Sequence, residues 1–168
     1  MRRWWLLVSL LVLVASCSGS GMPFTTQSPI GTPNPSHSAY LPNPQLTPGD
    51  ALDVTKADVC TPGYAGKVRD VPTSVKNQVY REYGITSHPA GAYEVDHLIS
   101  LELGGSNSIK NLWPESYTGA WNAHIKDKLE DKMHQLVCAG SLDMKTAQQE
   151  ISTDWVSAYT KYLGQPTP

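Results

Sequence analysis

Apolar and polar residues alternate from Tyr93 to Leu103, and this alternation is the clearest structural signal in the 168-residue chain. A period of two is typical of a half-buried β-strand. Gly104-Gly105 indicates a turn, because glycine tolerates positive φ angles. A second short strand is predicted over residues 109–113, and Pro114 should end its pairing because proline lacks a backbone donor. The stretch therefore predicts a β-hairpin.

Helical periodicity appears on both sides of this hairpin. A short helix is predicted to start at Pro72 with Thr73 or Ser74 and to run through Tyr83, and a final one is predicted from about Met144 to Tyr162. Between them, residues 121–138 carry an apolar face at helical spacing, formed by Ile125, Leu129, Met133, Leu136 and Val137. Together these elements predict a small α+β domain with a hairpin-helix core and additional packing helices.

The polar residues of the hairpin carry the candidate chemistry. Asp96-His97 on the first strand, a glycine turn and the return Asn111-Leu112-Trp113-Pro114 resemble the ββα-metal motif of HNH endonucleases. The resemblance implies that His97 is the general base and that Asp96 is a metal ligand. It also implies a catalytic position for Asn111, which would hold the hairpin or orient the imidazole of His97. An Asp-His pair alone also occurs in solvated turns, so the motif needs its structural context.

A further metal ligand is expected on the helix that follows. Asn122 falls on the predicted inward face, whereas His124 points towards solvent. An unpaired buried amide costs about 1–3 kcal/mol, so Asn122 is predicted to bind the metal; the alternative is that it bonds hairpin backbone. Glu94, Lys126 and Glu130 are candidates for lining the cleft. Oxygen ligands favour Mg²⁺, or else Mn²⁺, over structural zinc.

These residues predict a metal-dependent endonuclease that hydrolyses phosphodiester bonds in nucleic acid. A neutral histidine, with an ordinary pKa of about 6.5, is suited to take a proton from water near neutral pH. DNA is expected as the substrate rather than RNA, and the protein is expected to be a monomer. Two alternatives stay open: a non-catalytic HNH-like envelope-binding lipoprotein, and a hydrolase of another phosphodiester or of cell-wall material.

The charge of the chain does not favour nucleic acid. Without Arg2 and Arg3, 11 basic residues stand against 15 acidic ones, a net charge of −4 with neutral histidines. A nonspecific DNA-binding protein usually presents a basic surface. Local phosphate contacts would depend on a few side chains near the hairpin and on the following helix: Lys67, Arg69, Lys76, Arg81, Lys126, Lys128 and Lys132.

The N-terminal residues indicate export. Arg2 and Arg3 precede an apolar run that is too short to cross a bilayer comfortably, and residues 1–16 are predicted to be a signal peptide. Val14-Ala15-Ser16-Cys17 resembles the lipobox of bacterial lipoproteins. That resemblance implies lipidation at Cys17 and an extracytoplasmic domain anchored to the cell envelope. The alternative is an ordinary signal peptide with an incidental cysteine.

The rest of the chain divides by composition. Residues 17–50 are predicted to be a disordered tether, since residues 18–50 contain seven prolines and a single charged residue, Asp50. Residues 51–163 should form the HNH-like domain, and residues 164–168 a frayed tail. Once Cys17 is assigned to lipid, Cys60 and Cys138 are expected to form a disulfide in an exported protein.

Overall fold

Five α-helices, three short 3₁₀ helices, the first over Pro35–Tyr40, and one two-stranded antiparallel sheet form within residues 34–166, the part of the chain that the computed structural model describes. The fold is mixed α+β, as predicted from the sequence. The predicted signal peptide, Cys17 and residues 17–33 of the predicted tether lie outside the described residues. The elements are α1 (Lys56–Val59), α2 (Tyr64–Val68), α3 (Thr73–Glu82), β1 (Tyr93–His97), β2 (Leu112–Ser116), α4 (Ala123–Cys138) and α5 (Met144–Leu163).

Strand β2 runs through Pro114, so the prediction that pairing ends at this proline is wrong. Leu98 N donates to Asn111 O, and this bond fixes which pairs along the ladder exchange hydrogen bonds. In an antiparallel ladder such pairs alternate with pairs that exchange none. Pro114 lies opposite Val95, in a pair that exchanges none. Its missing N–H therefore costs no ladder bond, and β2 continues to Glu115 and Ser116.

The connection from β1 to β2 is a packed loop. The predicted first strand stops at His97, because the apolar side chains that follow all enter the core instead of alternating between core and solvent. Two short 3₁₀ turns form within the loop, Leu101–Leu103 and Ile109–Asn111. The buried apolar residues are Leu98, Ile99, Leu101 and Leu103. A compact loop thus separates the two strands that position the candidate site.

Helices α4 and α5 form the main core against this loop. The apolar face of α4 is centred as predicted, and Leu129, Met133 and Val137 are fully buried. Helix α5 is not continuous, because Asp154 has non-helical angles (φ −160°, ψ 87°) and caps the segment after it. After the kink, Tyr159 is buried and Tyr162 is only partly buried.

Residues 34–50, predicted to belong to the tether, pack on the domain. Trp155 Nε1 donates to Tyr40 O (2.9 Å), and the buried Thr47 hydroxyl donates to Leu112 O (2.8 Å). Gly49 N donates to Lys110 O (3.0 Å). The folded domain therefore begins before residue 51. The tether was predicted because the segment contains few apolar residues. Composition does not show that its polar groups form hydrogen bonds with the domain.

A disulfide joins Cys60, at the end of α1, to Cys138, at the end of α4, with a Cα–Cα distance of 5.7 Å. This confirms the predicted pairing. The bond closes a loop that contains the hairpin and the helix after it. None of the helices in residues 34–166 has the length and apolar character needed to cross a membrane.

Candidate functional site

The imidazole of His97 lies at the end of β1 and is fixed by an amide. Its Nε2 lies 3.0 Å from Oδ1 of Asn107. The orientation of that amide is set by backbone groups, since Nδ2 donates to Val68 O (2.7 Å) and Oδ1 accepts from Asp70 N (3.2 Å). Because Oδ1 can only accept, Nε2 carries the ring proton. Nδ1 is then the basic nitrogen, and no hydrogen-bond partner reaches it from within residues 34–166.

The surroundings of His97 keep its ring neutral. Burial is the main cause that lowers its pKa, and the nearby Arg69 guanidinium acts in the same direction. The bond from Asn107 and the Asp96 carboxylate oppose this shift without cancelling it. A pKa below the ordinary value of about 6.5 leaves the ring unprotonated at pH 7. His97 is therefore in the protonation state of a base.

Asp96 points to the opposite face of β1, as adjacent strand residues do. Its Oδ2 accepts a hydrogen bond from Lys126 Nζ at 2.6 Å, and the same ammonium group donates to His97 O at 2.8 Å and to Glu130 Oε1. The Lys126 side chain is 1% exposed. The structure thus brings the predicted residues Asp96, Lys126 and Glu130 together, but on the other side of the strand from the His97 ring.

A fourth group, Glu115, completes this cluster and was not predicted. It is 2% exposed, and no donor among the described residues reaches either carboxyl oxygen. Burial is the main cause that raises the pKa of Glu115 well above its ordinary value. The Lys126 ammonium opposes this rise, and the nearby Asp96 carboxylate adds to it. Glu115 therefore favours its protonated form more than an exposed glutamate does.

The remaining charges of the cluster follow from burial and from Lys126. Burial opposes ionisation of Asp96, but the Lys126 ammonium outweighs it and lowers the Asp96 pKa. Burial raises the pKa of Glu130 to about 7, and Lys126 only partly offsets this rise. Burial acts to lower the pKa of Lys126, but the surrounding carboxylates outweigh it and raise that pKa. Lys126 is therefore a permanent cation paired with the Asp96 carboxylate.

Glu94 lies on the same face of the hairpin, directly opposite Glu115 in the register. Its Oε2 accepts a hydrogen bond from Tyr117 Oη at 3.0 Å. Burial is the main cause that raises the Glu94 pKa, and the Asp96 carboxylate adds to the rise. Glu94 thus borders the cluster without contacting Lys126 by a hydrogen bond.

The amide of Asn111 bonds the backbone of the loop and does not contact the imidazole of His97. Asn111 is fully buried, and its amide forms hydrogen bonds with backbone groups only. Nδ2 donates to Ile99 O (3.0 Å) and Ser106 O (2.9 Å), and Oδ1 accepts from Ile99 N (2.9 Å). It holds the loop between the strands, which was one of the two roles predicted for it. The imidazole of His97 is oriented by Asn107 instead.

Asn122 is the N-cap of α4 and not a residue of its inward face. Its Oδ1 accepts from Ile125 N (3.3 Å), and its Nδ2 donates to Gly119 O (2.8 Å). The unpaired amide that motivated its prediction as a metal ligand does not exist, because a capping side chain satisfies the first turn of a helix. His124 is 68% exposed, in agreement with its predicted direction.

The residues predicted to hold Mg²⁺ do not form a site that fits it. Asp96 is bound to an ammonium group, Asn122 caps a helix, and the His97 ring lies on the other face of the strand. Within residues 34–166, three His, Cys, Asp or Glu ligand atoms come within 4.8 Å of one another at one place only, Cys60, His134 and Cys138. There the two sulfur atoms are already joined in the disulfide.

Asn107 and Glu115 are the two residues that sequence reasoning missed. Glu115 could have been found from the period of two, since a strand that continues through Pro114 places it opposite Glu94. Asn107 carried no such signal, because an asparagine in a glycine-rich turn is already accounted for by the turn itself.

Comparisons of the chain with family models, with curated proteins and with solved structures found no match.

Proposed function

We propose that this domain hydrolyses phosphodiester bonds in nucleic acid, with His97 as the general base. The feature that carries this proposal is the His97 imidazole, neutral and fixed in one tautomer by Asn107, with Nδ1 free to accept a proton. The β1, β2, α4 order around an Asp-His pair is the structural context that the HNH resemblance requires. The exposed Lys67 and Arg69 flank Val68, whose carbonyl holds Asn107, and supply positive charge for a phosphate.

The chemistry assigned to His97 is proton removal from the attacking water. The water oxygen forms a bond to phosphorus while Nδ1 accepts its proton, and the bond from phosphorus to the 3′ oxygen breaks. The 3′ oxygen takes a proton from solvent. The expected products therefore carry a 5′-phosphate and a 3′-hydroxyl. The predicted dependence on Mg²⁺ or Mn²⁺ remains a prediction, and the donor set described above does not favour it.

The test is cleavage of plasmid DNA and of single-stranded RNA by the purified protein, with Mg²⁺, with Mn²⁺ and with EDTA. His97→Ala should reduce the cleavage rate by about 10²- to 10⁴-fold, the usual contribution of a general base. His124→Ala is the matched control, because it removes an exposed histidine of α4, and should cleave like wild type. Equal cleavage by His97→Ala and wild type would show a contaminating nuclease or a different base.

A non-catalytic envelope-binding module is the second candidate. Two observations favour it: His97 is 2% exposed, and the carboxylate of Asp96 and the ammonium group of Lys126 bind each other. This candidate requires that neither nucleic acid is cleaved under any of the conditions above, and that His97→Ala retains the binding properties of wild type. Cleavage lost specifically in His97→Ala would exclude it. A hydrolase of another phosphodiester is separated by assaying small phosphodiester substrates in parallel.

We also propose that the protein is exported and anchored to the bacterial envelope through lipid on Cys17. The Cys60–Cys138 disulfide supports an oxidising compartment, where such bonds form and persist. Cell fractionation of wild type and Cys17→Ser tests the anchor. Wild type should remain with the membrane fraction, and Cys17→Ser should be released from it. Equal distribution of the two proteins would favour an ordinary signal peptide with an incidental cysteine.

A further inference from the structure

The ammonium group of Lys126 lies where the hairpin meets α4, and its three N–H groups are all used. They donate to Asp96 Oδ2, to the backbone carbonyl of His97 and to Glu130 Oε1. An ammonium group has three donors and no acceptor, so this set is complete. With 1% of the side chain exposed, the charge is withdrawn from water and depends on these oxygen atoms.

The oxygen atoms around Lys126 are of the kind that bind hard divalent cations. Carboxylates and backbone carbonyls are the usual protein ligands of Mg²⁺ and Mn²⁺. Glu115 offers further oxygen atoms that could bind a cation, beyond those of Asp96 and Glu130. Its buried carboxyl faces Asp96, and neither of its oxygen atoms has a donor among the described residues. Two carboxylates therefore bind the Lys126 ammonium directly, and the buried Glu115 carboxyl lies nearby without a hydrogen bond to it.

From this arrangement we infer that the Lys126 ammonium is the resident cation of the cluster formed by Asp96, Glu115 and Glu130. The native centre takes up no divalent ion, and removal of the ammonium group turns the cluster into a divalent-cation site. The physical reason is that the ammonium group and a divalent ion compete for the same Asp96 carboxylate. Two cations held within a few ångströms of each other in a poorly solvated site repel strongly.

The first experiment uses the wild-type protein and Mn²⁺ as the probe, with free Mn²⁺ followed by electron paramagnetic resonance. Asp96→Asn is titrated beside it. The expected result is that the two proteins give the same titration, because no ion depends on Asp96 in the native centre. Stoichiometric Mn²⁺ binding by wild type that is lost in Asp96→Asn would overturn the inference. This titration decides the first half of the inference without any Lys126 variant.

The second experiment removes the ammonium group. Lys126→Ala should bind Mn²⁺ at least about tenfold more tightly than wild type, and its melting temperature should rise on addition of Mn²⁺ and fall again with EDTA. Adding Asp96→Asn should abolish both effects. Lys128→Ala is the matched control, because Lys128 lies exposed on the same helix, and it should behave like wild type.

Lys126→Met provides a second background, because it keeps an aliphatic stem of similar length and removes the charge. A folded Lys126→Ala or Lys126→Met protein that gains no Asp96-dependent Mn²⁺ binding would overturn the second half of the inference. All of these titrations are made without nucleic acid. A failure of the proposed hydrolysis would therefore leave their result unchanged, and the two hypotheses can fail separately.

Discussion

Oδ1 of Asn107 lies 3.0 Å from Nε2 of His97, and this hydrogen bond determines which ring nitrogen is free. We predict that ¹⁵N NMR of the wild-type protein will show His97 as the tautomer protonated at Nε2. Asn107→Ala should lose this preference, because the acceptor is gone. Asn107→Asp should raise the His97 pKa by about one unit or more, because a carboxylate favours the charged imidazolium.

The matched control for the charge change is Gln149→Glu, which adds a carboxylate at an exposed position of α5. It should leave the His97 titration as in wild type. An Asn107→Asp protein whose His97 titrates like wild type would show that the two side chains do not interact in solution. Nucleic acid cleavage by Asn107→Asp should then shift to higher pH together with the His97 pKa, which a purely structural role of Asn107 does not explain.

Glu130 should make the stability of the domain depend on pH near neutrality. Burial raises its pKa from 4.5 to about 7, so the folded state holds a proton that the unfolded state releases. A raised pKa gives a contribution to the stability of the folded state that is fully present below pH 4.5 and is lost as pH rises to about 7. At about 1.4 kcal/mol per pKa unit, the loss is at most on the order of 3 kcal/mol.

Urea unfolding at several pH values between 5 and 8 measures this effect. Wild type should lose stability over the range, and Glu130→Gln should lose less, because its amide cannot ionise. Glu82→Gln, at an exposed position of α3, should follow the wild-type curve. Parallel curves for wild type and Glu130→Gln would mean that Glu130 does not titrate in this range in the folded protein.

The sequence was informative where one local pattern determines the structure. The spacing of apolar residues placed the buried face of α4, because Leu129, Met133 and Val137 must share one side of a helix. The pairing of Cys60 with Cys138 followed from the number of cysteines in a chain that is predicted to be exported. The positions of Asp96 and Lys126 in one cluster followed from the predicted cleft beside the strand and the helix.

The roles of the amide side chains could not be read from the sequence. Asn107, Asn111 and Asn122 are chemically identical, and which of them meets the imidazole, the loop backbone or a helix end depends on the path of the chain through the core. The same limit applies to Lys126. Its helical spacing predicts a position near the cleft, but three-dimensional packing decides that its charge occupies the middle of the carboxyl cluster.

Gly105 is required by the loop that connects the strands. A Cβ atom added there would lie 1.7 Å from the carbonyl oxygen of Ile99, which is backbone and cannot move aside without displacing the loop. We predict that Gly105→Ala destabilises the domain by at least about 3 kcal/mol, the upper range for overpacking. Gly66→Ala is the control, because nothing lies within 4 Å of its Cβ position. Similar unfolding midpoints for the two variants would contradict the observed loop.

The final prediction concerns Asp154, which connects the N-terminal segment to the kink of α5. Its carboxylate accepts hydrogen bonds from Asn34 N, His37 Nδ1 and Ser157 N, each at 2.9 Å. Burial alone would raise its pKa, but these donors outweigh burial and lower it. A lowered pKa gives stability that is present above the ordinary value of about 3.9 and is lost as pH falls through the folded value.

We expect Asp154→Ala to release the segment around Tyr40 and to cost about 1–3 kcal/mol, because three donors lose hydrogen bonds to a charged acceptor. Limited proteolysis with chymotrypsin should cut Asp154→Ala after Tyr40 faster than wild type. In wild type, release of the segment should occur only in acid, where hydrogen exchange is used to follow it. Asp143→Ala is the matched control. Asp143 caps the start of α5 through Thr146 N and, within residues 34–166, forms no hydrogen bond with the segment around Tyr40. Equal cleavage of the two variants after Tyr40 would mean that general loosening of α5, and not the Asp154 carboxylate, controls the segment.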